Sequence, residues 1–113
     1  MKKIKSLTLF LFFFIFCNSC FANETGNTLY ASLQDYKREK SENLIKASVA
    51  FGYVIGVHDA LFGVVICSPS NGTRGQIVDI VFQYLQENPQ LRHKNADELI
   101  SQALVRFYPC KRK

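Results

Sequence analysis

The sequence is poor in the residues that usually carry chemistry. It has two histidines, His58 and His93, no tryptophan and four cysteines, two of them within the first 22 residues. There is no Gly-rich phosphate loop, no G-x-S-x-G and no S-x-x-K. Two cysteines 43 positions apart and two scattered histidines do not match the ligand spacing of structural zinc. His58 and Asp59 are neighbours on one helix, about 100° apart, so the sequence gives no reason to pair them. A Cys–His dyad would need Cys67 or Cys110 as a free thiolate. These absences argue against an enzyme, against a metal and against a cofactor.

Length of apolar run is also lacking. The N-terminus carries Lys2, Lys3 and Lys5, then the ten-residue apolar stretch Leu7–Phe16, then a small residue at Ala22. Ten residues are well short of the roughly 20 needed to cross a bilayer, so Met1–Ala22 reads as a cleavable secretory leader rather than an anchor. Cys17 and Cys20 raise a lipoprotein alternative, but neither follows the Leu-plus-small-residue pattern that lipidation needs.

Cleavage after Ala22 leaves one domain, Asn23–Lys113, of 91 residues. The charge falls with it: 14 Lys+Arg less three leaves 11 against 9 Asp+Glu, a net of +2, and the tail Lys111-Arg112-Lys113 accounts for that excess. No basic patch within the folded body points to nucleic acid. Only Cys67 and Cys110 remain. In an exported chain a disulfide is the default reading of such a pair, and the alternative is a free or catalytic thiol pair.

The rest of the mature chain reads as helices. Asn23–Asn27, with Gly26, is expected to be a flexible start, and Thr28 to cap a helix bearing Leu29, Leu33 and Tyr36. Ser41 is the next cap candidate. From Leu44 to about Gly63, around the uncharged run Ala47–Val57, apolar residues fall on nearly every face, which predicts a central buried helix. Lys46, His58 and Asp59 bracket that run too closely for a membrane span. Gly52 and Gly56 would let another helix approach closely, either within the core or across a dimer. Asp59 is expected to act as a cap or to pair with Arg74 or Arg106, the alternative being a partner contact. Val64–Ile66 is β-branched and predicted extended. Pro69 and Asn71-Gly72 make a turn.

Thr73 and Gln76 then form a capping-box pattern ahead of a stripe of Ile77, Ile80, Val81, Tyr84 and Leu85. Val78 and Phe82 are surplus to that stripe and fit either core or an oligomer interface. Asn88-Pro89 ends the helix. Asn95 and Glu98 suggest another cap, before a last helix whose inner face is Leu99, Ile100, Ala103, Leu104 and Phe107 and which Pro109 ends. The class is all-α, about four helices, with Cys67 and Cys110 placed to tie the ends of the last two together.

Four strings, taken together, resemble one family. They are G-Y-V-I-G-V-H-D-A (Gly52–Ala60), C-S-P-S-N-G-T-R-G-Q (Cys67–Gln76), V-F-Q-Y-L-Q-E-N-P (Val81–Pro89) and A-L-V-R-F-Y-P-C (Ala103–Cys110). In order and spacing they are similar to the Rap/Tai immunity-protein family, whose pattern is approximately G-Y-x-x-G-v-x-D-A, f-C-x-P-x-g-v-t-x-x-Q, y-L-x-x-n-P and A-L-x-x-x-f-P-C. Gly52, Tyr53, Gly56, Asp59, Gln76 and Pro89 are the matching framework positions besides the cysteines. The resemblance implies a small helical periplasmic protein, typically a homodimer, that blocks a peptidoglycan amidase delivered by type VI secretion. It also makes the sequon Asn71-Gly72-Thr73 an accident of a bacterial sequence.

Many relatives carry a second cysteine pair, and Leu33 and Ala50 stand at those places here. Many also lack a known toxin neighbour, so an envelope or stress-related binding protein without a dedicated toxin is the alternative function. Partner contacts are expected on the polar side of the third helix (Asp79, Gln83, Gln86) and on the preceding turn (Ser70, Asn71, Arg74), where polar groups are not needed for a core. After removal of the leader no membrane partner is expected.

Overall fold

The computed structural model describes residues 24–38 and 43–112. The candidate leader and the Ser41 cap lie outside them. Among the described residues the architecture is all-α: α1 (Gly26–Lys37), α2 (Leu44–Leu61), α3 (Arg74–Glu87) and α4 (Ala96–Phe107), with a single 3-10 turn at Pro89–Leu91. α1 packs mainly on α2, α3 on α4, and α2 reaches both later helices.

The first helix starts earlier than its composition suggests. Thr25, not Thr28, is the N-cap; its hydroxyl accepts from the Thr28 amide, and the Thr28 hydroxyl closes the box from the N3 position. Glu24–Asn27 is fixed rather than flexible. The Gly26 amide donates to Lys94 O at 2.9 Å, Asn27 N to Arg92 O at 2.8 Å, and Ala96 N returns to Glu24 O at 2.8 Å. These bonds join the start of α1 to the segment entering α4.

The core is a continuous apolar cluster. Leu29 and Leu33 of α1, Ala50, Val54 and Ile55 of α2, Ile77, Val78, Val81 and Leu85 of α3, and Ala96, Leu99, Ile100, Ala103 and Leu104 of α4 are all buried, with Ile66 between them. Burying each of the larger side chains is worth on the order of 1.5–3 kcal/mol relative to exposure. Leu33 and Ala50 both lie within this apolar packing.

Four expectations about faces are corrected. α2 is buried along one stripe only: Val49 is 65% and Ile45 81% exposed, because the remaining helices all lie to one side of it. By length and composition alone α2 could cross a membrane, yet it carries Lys46 and Asp59 and contributes Val54 and Ile55 to the core. Gly52 and Gly56 are exposed, and a Cβ at either would meet nothing within 4 Å, so among the described residues no other helix approaches there. In α3 the inward stripe is rotated: Val78 is fully buried, Ile80 and Tyr84 only partly, because α3 faces α1 and α2 as well as α4. Phe82, half-buried, stacks on Tyr30 at 5.4 Å. At the end of α4, Phe107 is 58% exposed rather than internal.

Candidate partner-binding surface

The segment linking α2 to α3 is held at both ends. Cys67 and Cys110 form the disulfide, with Cα atoms 4.8 Å apart. Beside it the two chains exchange backbone bonds, Cys67 N to Tyr108 O at 2.8 Å and Cys110 N to Val65 O at 3.3 Å. Ile66, predicted as part of an extended stretch, pairs with Pro109 as an isolated bridge, while residues 63–65 form a turn with Gly63 at φ +77°. A positive φ strains any residue with a Cβ.

Ser68 follows Cys67, and its Oγ lies 3.0 Å from His58 Nε2. His58 Nδ1 in turn lies 2.9 Å from Asp59 Oδ1. The two neighbouring side chains therefore do meet, contrary to the expectation from helix geometry. Asp59, mostly exposed, pairs with His58 rather than with Arg74 or Arg106. The chain Asp59–His58–Ser68 ties the end of α2 to the start of the loop.

Beyond it, the turn closes with Gly72 N donating to Pro69 O at 3.0 Å. Thr73 then caps α3 as predicted: the Gln76 amide donates to Thr73 Oγ1 at 3.2 Å, and Gln76 Oε1 accepts from the Thr73 amide at 2.9 Å. Pro89 begins the 3-10 turn that ends α3. The second predicted cap differs. Asn95 occupies the N-cap of α4 without a side-chain cap bond, and Glu98 instead accepts from Gln102 Nε2 at 3.0 Å and pairs with Lys94.

Ser70, Asn71 and Arg74 are exposed on this loop and at the first residue of α3. Asp79, Gln83 and Gln86, also exposed, recur at helical spacing and line one outward stripe of α3. From Arg74 to Gln86 this surface runs roughly 18 Å along the helix. Two of its members are already engaged. Asp79 accepts from Lys37 Nζ of α1, and Gln83 Nε2 donates to Glu87 Oε1 at 2.8 Å.

The structure adds groups that sequence spacing does not announce. Lys37 also lies 5.7 Å from the Phe82 ring centroid. Arg92 sits 3.7 Å over the Tyr30 ring while its Nε donates to Leu85 O at 2.6 Å, locking the end of α3 to α1. Between α1 and α2 a groove of about 600 Å³ is floored by Leu29 and Ala50 and edged by Glu24, Asp35, Val49 and Tyr53. Burial, then the nearby Asp97 and Glu24 carboxylates, raise the Tyr53 hydroxyl above its ordinary pKa of 10.0. The contacts joining Lys37 to Asp79 and Arg92 to Tyr30 span distant parts of the chain, so no local pattern could flag them. Among the described residues, no three His, Cys, Asp or Glu side chains come together as a metal-binding group.

The exposed polar positions of the loop and α3 thus form one surface beside the disulfide. The family model for Rap1a immunity proteins matches residues 25–110. No curated protein matches the chain.

Proposed function

This chain belongs to the Rap1a immunity protein family, a family of inhibitors of type VI effectors, and on that premise we propose that it is a periplasmic immunity protein for a peptidoglycan amidase. It binds the secreted amidase and occludes the active-site cleft, so the chemistry belongs to the partner. The leader-like Met1–Ala22 supports export to the periplasm.

The observation that carries the reading is the outward stripe of α3 with its adjoining loop. Ser70, Asn71, Arg74, Asp79, Gln83 and Gln86 are exposed, while the loop that presents Ser70 and Asn71 and leads into Arg74 is fixed by a disulfide, a capping box and the His58–Ser68 bond. A recognition surface held in one shape loses little side-chain and loop freedom on binding.

The protein acts as a homodimer in this reading. Val78 belongs to the core and Phe82 packs against it, so the dimer contact in this reading is the outer face of α2, where Ile45, Val49, Gly52 and Gly56 follow one another at spacings of four, three and four. An antiparallel copy would set the bulky end of this stripe against the glycine end.

Asp79→Ala and Gln83→Ala test the toxin surface. The Lys37–Asp79 pair is solvent-exposed, so its loss should cost at most about 1 kcal/mol of stability. Binding of the amidase, measured by calorimetry, should weaken roughly tenfold or more for the double variant. Unchanged binding would remove this face from the interface. Failure of every secreted amidase to form a complex or to be neutralised would instead leave an envelope-binding protein without a dedicated toxin.

A further inference from the structure

The turn after α2 is more apolar than its own bonding requires, although the Phe62 ring lies 5.7 Å from the His58 ring. Gly63 N donates to Ile66 O at 2.8 Å, and the amides of Val64, Val65 and Ile66 all reach Leu61 O at 3.1–3.2 Å. These bonds would form with polar side chains equally well. Only Ile66 enters the core; Phe62, Val64 and Val65 are 52%, 71% and 40% exposed. Together they make a blunt apolar tip, and such clusters on a soluble surface mark contact sites.

The tip has a charged neighbour. Cys110 N donates to Val65 O, and the disulfide holds the two chains together at that point. The exposed residues Lys111 and Arg112 therefore leave the domain directly beside the tip, and Lys113 follows in the sequence. The Asp59 carboxylate near the end of α2 lies 2.9 Å from His58 Nδ1.

We propose that this end of the molecule docks on the surface of an anionic phospholipid bilayer. Phe62, Val64 and Val65 enter the headgroup region, and Lys111 and Arg112 engage lipid phosphates. Peripheral binding of this kind needs apolar insertion and electrostatic attraction together, since either alone is weak. The turn also suits insertion because its amides are satisfied internally, so few backbone donors must shed water. The leader and the apolar face of α2 play no part in this contact. It is a property of the folded, oxidised chain, in which the disulfide brings the segment before Lys111 and Arg112 against the turn.

The test uses the exported protein with its disulfide formed and co-sedimentation with two kinds of vesicle. Vesicles of phosphatidylethanolamine with phosphatidylglycerol should retain the protein, vesicles of phosphatidylcholine alone should not, and added salt should release it. Lys111→Glu with Arg112→Glu should lower retention roughly tenfold or more. That variant lies outside the core, so it keeps the test valid even if Val64→Ser with Val65→Ser disturbs folding. Retention on neither vesicle, equal retention on both, or retention that both variants leave unchanged would overturn the proposal. So would tip variants that lose amidase binding in a protein that never sediments with lipid, because the tip would then belong to the toxin interface.

Discussion

At Gly26 the structure leaves no room for a side chain. A Cβ there would collide with Leu99 Cδ1 and stand 2.9 Å from both Cα and O of Arg92. Two of those neighbours are backbone atoms, which cannot swing aside. Gly26→Ala should therefore destabilise the domain by about 1–3 kcal/mol, the usual range for overpacking, with the loss read from urea unfolding. Gly75→Ala is the matching control, because its Cβ would come no closer than 3.8 Å to Thr73 Oγ1. An equal loss at both positions would mean that helix-start conformation, not crowding, governs Gly26. The residue looks like part of a loose start when only its neighbours Asn23–Asn27 are considered. Its constraint comes from a segment almost 70 positions away, and nothing local encodes that.

Elements with local signals are the ones the sequence specifies best. Thr73 with Gln76 marks the start of α3 and Asn88-Pro89 its end, since capping and the missing proline amide act within a few residues. Which face each helix buries depends on what surrounds it. α3 turns Val78 inward because it meets three partners, and α2, apolar nearly all round, keeps one side open. The open side yields the sharpest prediction at this scale. With nothing within 4 Å of a Cβ at Gly52 or Gly56, alanine at both should stabilise the isolated monomer by about 1 kcal/mol per site through helix propensity. If copies meet along this stripe, the same change should weaken their association, because close approach of helix axes needs the missing side chains. Sedimentation equilibrium with thermal unfolding separates the two effects. Tighter association in the double variant would move the dimer contact elsewhere. The same logic explains why the candidate interface was only partly legible. Exposed polar positions on α3 follow from periodicity, whereas the Lys37 partner of Asp79 does not.

At the scale of the whole molecule, one covalent bond joins what the helices leave separate. The Cys67–Cys110 bridge closes a loop spanning 43 positions that contains α3 and α4 entirely. The chain-entropy model assigns such a loop about 4 kcal/mol. Leu33 of α1 and Ala50 of α2 are both buried and contribute apolar packing only, so among the described residues Cys67–Cys110 is the single staple. Domains of this size usually have 5–15 kcal/mol of stability in total. Replacing both cysteines by alanine should thus lower the unfolding free energy by about 4 kcal/mol and shift the urea midpoint with little change in the size of the exposed core. The effect should also be spatially selective. The bonds from Cys67 to Tyr108 and from Cys110 to Val65 flank the bridge, so amide exchange should rise first in residues 63–67 and 107–110, while the Gly26–Lys94 and Ala96–Glu24 bonds stay protected. Uniform loss of protection would instead mean that the domain opens as one unit. An unchanged urea midpoint would show that backbone pairing at this end holds without the sulfurs.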